Sequence, residues 1–321
     1  MFYKSSTFLK TLGFTCLSLL LAACGEKMVE PLRIGTNLWP GYEPLYLARD
    51  MGEFEGTPVG LLEMPSASEV IRAFRNGAVE VAALTLDEVL LLLQDGIDVR
   101  ILYVMDISNG ADVVMARPGI HSLKELAGKK VGVEGSALGA YMLSRTLDAA
   151  GLQPGDLEIV PLTVDRHEQA YLDGTIDTVV TFEPVRTKLL HAGAHVIFDS
   201  SRIPNEIFDV LVTRSDTLNK RPEDFRRIQE SWFKSIAYMH ANPDAAAKRM
   251  AKRLGINGTE FMESLKGLKI PDQQENNRLL AGAHPAILEP AQRLAETMLQ
   301  KKLLHAPVDP HKLLITQTKS G

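Results

Sequence analysis

Beyond an apolar leader, the chain alternates short aliphatic and β-branched runs with longer stretches whose apolar residues recur every three or four positions. The short runs read as buried strands and the longer stretches as amphipathic helices. Leu32 to Gly35 is the first run, followed by the loop Trp39-Pro40-Gly41-Tyr42-Glu43 and a helix from about Pro44, a residue suited to a first helical turn. Ser66-Ala67-Ser68-Glu69 has capping-box spacing and predicts a helix that stops at Gly77; Thr85-Leu86-Asp87-Glu88 predicts another that stops at Gly96, with a strand from Val79 to Leu84 between them. Further strands are predicted at Val99 to Ile107, Lys130 to Glu134, Leu157 to Thr163, Ile176 to Phe182, Ala194 to Asp199 and Ile207 to Thr213. Ser108-Asn109-Gly110 reads as a turn and Ala111 to Ala116 as extended chain. Ser122 opens a short helix, and a long one follows Gly135-Ser136-Ala137-Leu138-Gly139 as far as Gly151. From about 221 to 303 the pattern is helical, with Trp232, Phe233, Ile236, Met239, Phe261 and Leu265 at core spacing. Strands alternating with helices in this way argue for parallel α/β architecture.

An internal echo divides that architecture in two. Gly77, Glu80, Leu92, Leu93, Gly96 and Val99 match Gly174, Asp177, Leu189, Leu190, Gly193 and Val196, every pair at one constant offset. Any two strand-helix units share some spacing, but a match of six positions favours two similar α/β lobes in tandem.

The leader sets the compartment. MFYKSSTFLKTLGFTCLSLLLAAC holds Lys4 and Lys10, no acid, then an apolar stretch ending in small residues, which is the anatomy of a secretory signal and too short for a good membrane span. Leu21-Ala22-Ala23-Cys24-Gly25 resembles a bacterial lipobox, so the expectation is cleavage after residue 23 and acylation of Cys24, with palmitate among the chains, tethering residues 24–30 as a linker. An ordinary signal with a coincidental cysteine is the plainer alternative. Gly25, where Asp would favour inner-membrane retention, suits export toward an outer membrane in a Gram-negative cell. Of the two cysteines, Cys16 leaves with the signal, so no disulfide is expected. Processing takes the formal charge from −5 to −7. No basic stripe for nucleic acid exists.

In open α/β sheets ligands bind beyond the carboxyl ends of strands, where helix N-termini point free amides outward. The loops to watch are therefore WPGYE, PSASE, TLDE, DISNGAD, EGSALG, TVDRH and TFEP. They are rich in hydroxyls, carboxylates and aromatic rings but poor in nucleophile-base pairs. Gly135-Ser136-Ala137-Leu138-Gly139 lacks the order of a nucleophile elbow, and no phosphate loop is present. His191 and His195 have metal-ligand spacing, but Gly193 breaks the helix between them, so they read as solvated histidines and no metal or cofactor is expected.

Leu32-Arg33-Ile34-Gly35 running into Trp39-Pro40-Gly41-Tyr42-Glu43-Pro44, then Val79-Glu80-Val81-Ala82, Gly132-Val133, Gly135-Ser136, Gly174-Thr175-Ile176-Asp177 and Phe182-Glu183-Pro184, resemble the periplasmic binding proteins for nitrate, sulfonates, taurine and thiamine pyrimidine precursors. The resemblance spans about residues 31 to 300. It implies a type II periplasmic-binding fold: two Rossmann-like lobes joined by two crossing strands, with a helical C-terminal part, closing on a small solute that is passed to an ABC permease. Lobe I would be 31–112 with 209–305, lobe II 113–208, the crossings Ala111 to Ala116 and Asp209 to Thr213, and 306–321 a tail. Such a protein is a monomer, not an enzyme, located in the periplasm or at the cell surface. The family's loop positions imply ligand contacts from Trp39, Tyr42, Glu43, Ser66, Ser68, Thr85, Asp87, Asp106, Asn109, Ser136, Ala137 and Glu183. Ser66 and Thr85 are equally explained as N-caps. A ligand-sensing co-receptor of a membrane signalling protein, and a thiamine-pyrimidine-synthase-like enzyme, are the other functions compatible with this fold.

Charge separates the solute classes. Glu43, Asp87, Asp106, Asp112, Asp165 and Glu183 crowd the loops, with Arg166 nearly the only cation among them, so a neutral or amine-bearing, heteroaromatic solute is expected rather than an inorganic anion.

Overall fold

A computed structural model describes residues 30–315. The signal peptide, Cys24, most of the 24–30 linker and the end of the tail lie outside the described residues. From Leu32 the strands run β1 Leu32–Thr36, β2 Val59–Glu63, β3 Val81–Thr85, β4 Val99–Ser108, β5 Val113–Ala116, β6 Lys130–Val133, β7 Glu158–Pro161, β8 Thr178–Thr181, β9 His195–Asp199, β10 Phe208–Arg214 and β11 Leu268–Lys269. They make a six-stranded sheet in the order β11-β4-β10-β3-β1-β2 and a five-stranded sheet in the order β7-β6-β8-β5-β9.

The two sheets repeat one design. β1 pairs in parallel with β2 and β3, as β6 does with β7 and β8. β10 then runs antiparallel between β3 and β4, as β5 does between β8 and β9. The offset echo lies on the matching units β3 and β8 with the helices that follow, Leu86–Gln94 and Val185–His191. Gly77, Gly96, Gly174 and Gly193 all adopt positive φ, so glycine recurs there because the turns require the left-handed region. β3 and β5 are buried at every position, which is why they read as continuous apolar runs rather than alternating ones.

The chain passes between the sheets twice, after Ser108 and after Asp199. Each segment expected to cross begins the strand that follows its crossing: Val113–Ala116 belongs wholly to the five-stranded sheet and Phe208–Arg214 to the six-stranded one. The two passages are tied together. Ser108 and Ser200 hydroxyls lie 2.8 Å apart, the Gly110 amide donates to Ser200 Oγ at 2.6 Å, and the Ser200 amide donates to the Asp112 carbonyl at 2.9 Å.

The C-terminal part is helical, from Pro222–Ala241 to Leu288–Gln300. Trp232 stacks on Tyr103 of β4 with centroids 5.1 Å apart, filling the core beneath the six-stranded sheet. Asn276 satisfies both backbone groups of Val104, accepting from its amide at 2.7 Å and donating to its carbonyl at 3.0 Å, beside the irregular register of β4. Those buried groups would otherwise carry a desolvation penalty.

Candidate functional site

A cavity opens where the carboxyl ends of the parallel strands in both sheets face one another. The loop after β1 supplies Asn37, Trp39 and Tyr42; the ends of β3 and of its helix supply Thr85 and Glu88; and Asp112 and Asp209 stand where the chain enters β5 and β10. From the other sheet come Glu134 and Ser136 after β6, His167, and Thr181 with Phe182 at the end of β8. Mouth included, about 530 Å³ is free of protein atoms.

The first loop is built around one hydrogen bond. Pro40 opens a 3-10 turn, Pro40–Tyr42, and Trp39 Nε1 donates to Asp106 Oδ2 at 2.9 Å across it. A Cβ at Gly41 would stand 1.7 Å from that same oxygen, so only glycine lets the bond pass. The indole is held with 4 % exposure and meets Phe182 of the opposite sheet edge-on, centroids 5.4 Å apart. The Tyr42 hydroxyl donates to Asp209 Oδ1. The loop packs in the core beneath the six-stranded sheet and also lines the cavity.

Across the cavity, Glu134 Oε1 accepts from the Ser68 amide at 3.0 Å and its hydroxyl at 2.8 Å, fastening the second sheet's loop to the N-terminus of the Ala67–Arg75 helix. Ser66 Oγ accepts from the Glu69 amide at that terminus, and Ser136 Oγ from the Gly139 amide at 3.1 Å. At Leu86–Gln94 half of the capping box forms: Glu88 Oε2 accepts from the Thr85 amide at 3.1 Å, while Thr85 Oγ1 has no partner. His167 Nε2 lies 3.2 Å from the Leu162 carbonyl and Nδ1 3.2 Å from Thr181 Oγ1. A carbonyl only accepts, so Nε2 carries the hydrogen and the Thr181 hydroxyl donates to Nδ1. Burial lowers the imidazole to about 4, which leaves it neutral at pH 7.

The electrostatics are one-sided. Burial raises Asp106 and Asp112 to about 7 and Asp87 to about 6, and pushes Glu88 and Asp209 well above the carboxylate range. Among the described residues, no lysine or arginine lines the cavity. Glu88 Oε1 and Asp112 Oδ2 are buried with no hydrogen-bond partner.

Of the residues expected at the ligand, Trp39, Tyr42, Thr85 and Ser136 line this cavity. Ser66 and Ser68 flank it as cap and cross-link, Asp106 stands behind Trp39, and Asp87 and Ala137 are buried without lining it. Three expectations are corrected. Glu43 turns the other way and accepts from Arg253 Nε at 2.9 Å, because its helix packs on Pro243–Leu254. Glu183 is consumed by its own helix, pairing with Arg186 at 3.0 Å and accepting from Thr187. Asn109 is exposed, and its amide donates to the Gly267 carbonyl. The lining residues missing from that expectation include Glu88, Asp112, Glu134, His167, Phe182 and Asp209. Phe182 and His167 lay in loops singled out by position, and Asp112 and Asp209 flank the crossings, but nothing local marks which carboxylates face inward.

Known proteins supply the remaining constraint. The taurine-binding periplasmic protein of Escherichia coli is 24 % identical over 267 residues, covering 79 % of this chain and 83 % of that protein. The periplasmic aliphatic sulphonate binding protein SsuA of Escherichia coli superposes with a TM-score of 0.71 at 17 % identity, covering 89 % of this chain and 97 % of that one. The alkanesulfonate-binding SsuA of Xanthomonas axonopodis pv. citri, bound to MOPS, gives 0.74 at 16 % identity over 87 % and 96 %. These relatives are binding proteins with the periplasmic binding fold, and no helix among the described residues is long and apolar enough to cross a membrane. The model of the NMT1-like family matches residues 25–255, most of the chain, and the protein belongs to that family.

Proposed function

We propose that this protein is an extracytoplasmic solute receptor that closes two lobes, 31–112 with 209–305 and 113–208, on a small molecule and delivers it to an ABC import permease. Cys24 carries the lipid tether, and the receptor works as a monomer at the membrane surface. The observation that carries the reading is the cavity itself. Its walls come from matching ends of two sheets that repeat one design, linked among the described residues by two passages of chain. That arrangement suits hinge closure around a ligand, and the Ser68–Glu134 bond is a contact such closure would make and break.

Stabilisation by a small molecule tests it. The low-molecular-weight fraction of a bacterial extract should raise the melting midpoint of the purified protein by mass action. Trp39→Phe should reduce the rise, since the indole forms both the wall and the Asp106 bond. An extract that leaves the midpoint unmoved at every concentration would sink the receptor reading.

A further inference from the structure

The cavity's unpartnered carboxylate oxygens are its distinctive polar groups. Glu88 and Asp112 line it with side chains 1 % and 2 % exposed, and among the described residues Glu88 Oε1 and Asp112 Oδ2 have no hydrogen-bond partner. The Thr181 hydroxyl spends its hydrogen on His167, leaving lone pairs. Several donors that could hold an anion are already spent on the protein's own oxygens. At the helix N-termini around the cavity, the Ser68, Glu69, Thr85 and Gly139 amides donate to Glu134, Ser66, Glu88 and Ser136. Where a helix N-terminus would receive a sulfonate or phosphate, the chain has placed its own carboxylate, Glu134.

A buried carboxylate without a cation either keeps a proton or gains a positive partner. An aromatic wall from Trp39, Tyr42 and Phe182 favours an organic cation, which such faces attract. Among the described residues no three His, Cys, Asp or Glu side chains converge as metal ligands do. Building on the receptor reading above, we infer that the cleft recognises a small organic ammonium, its protonated nitrogen directed at Glu88 and Asp112 and its apolar body against Trp39 and Phe182, and that it rejects sulfonates.

Calorimetric titration of the full chain with benzylamine, putrescine, benzyl alcohol, ethanesulfonate and Ca²⁺ decides the class. One of the two amines should bind, benzyl alcohol at least tenfold more weakly, and ethanesulfonate and Ca²⁺ not at all. Glu88→Gln and Asp112→Asn should each weaken the amine at least tenfold while the melting midpoint of the unliganded protein holds or rises, a pattern that a folding defect would not give. Binding of ethanesulfonate, Ca²⁺ or benzyl alcohol as tight as the amine's, or amine binding unchanged in both variants, overturns the inference. If both amines are silent while the bacterial extract still stabilises the protein, the ammonium assignment is wrong and the receptor reading stands; if the extract is silent as well, both fall.

Discussion

Glu43 and Asp112 are both buried acids, 1 % and 2 % exposed, and burial drives both to about 7. Their surroundings are opposite. Glu43 meets Arg253, which also pairs with Glu63 and lies over the Tyr46 ring at 3.4 Å, so its charge is answered within the protein. Among the described residues Asp112 and Glu88 meet no arginine or lysine, and each keeps an oxygen unpaired beside a cavity. Buried charge signals a ligand only after the protein's own counter-charges have been counted. One site is finished by folding, and the other waits for something from outside.

Removing the cation from the finished site should have the largest effect. Arg253→Met strands Glu43 in the core and strips Glu63 of its partner. Breaking one half of a buried pair costs about 3 to 5 kcal/mol. For a protein of this size the melting midpoint should fall by roughly 5 to 10 °C. Adding Glu43→Gln should recover a good part of the loss, since the orphaned charge goes with it. A double variant no more stable than Arg253→Met alone would show that stacking on Tyr46, not charge, is what Arg253 contributes.

The unfinished site should reveal itself in the pH dependence of the unliganded protein. Asp106 and Asp112 at about 7, and Asp87 at about 6, titrate higher folded than unfolded, so the folded state holds their protons more tightly. That stability is fully present below the ordinary carboxylate range and is lost as pH rises through 6 to 7. Glu88 and Asp209, facing the same space, shift in the same direction. Between pH 6.5 and 8 the melting midpoint should therefore decline, each group near 7 accounting for about 1 kcal/mol. Below 6.5 His167 works against the acids, because its folded value of about 4 means that the unfolded chain takes up that proton first. Asp112→Asn should make the decline between 6.5 and 8 shallower. A midpoint flat across that window, or rising, would mean that the acids have counter-charges after all.

The same contrast explains how far the sequence could be read. Most strands and both capped helices of the first lobe were legible because burial on both faces writes continuous apolar runs and N-caps need particular side chains. β2, Val59–Glu63, went unseen: it is the edge of its sheet, half-exposed along its length, and so lacks the pattern of a covered strand. The loops of the site were legible from topology, and Trp39, Tyr42, Thr85 and Ser136 do stand at the cavity. That Glu43 turns away from the cavity has no local mark, because its partner lies 210 positions along the chain. Glu183 does carry a local mark, since Arg186 and Thr187 follow at helical spacing and can absorb its carboxylate. Inward-facing acids such as Glu88 have no local mark, because facing inward depends on how the two sheets are set against each other.

Glu134 lies between the two extremes, and its variant should have the smallest effect on stability. It is buried at 4 % exposure and has partners, but they are neutral donors from the opposite lobe rather than a cation. Ser68→Ala removes one of its two hydrogen bonds and keeps the amide. A lost bond of that kind costs about 1 kcal/mol, more when the acceptor is charged, and the melting midpoint should move by only about 1 to 2 °C. The larger consequence concerns the equilibrium between closed and parted lobes. If the bond is made only on closure, as the receptor reading implies, losing about 1 kcal/mol shifts the ratio about fivefold toward the parted form. Small-angle scattering of the unliganded protein should show a larger radius of gyration for Ser68→Ala than for the native chain, while Arg253→Met, which acts within one lobe, should leave that radius unchanged. If the two variants expand equally, the serine bond is ordinary packing and the cleft is held shut by something else.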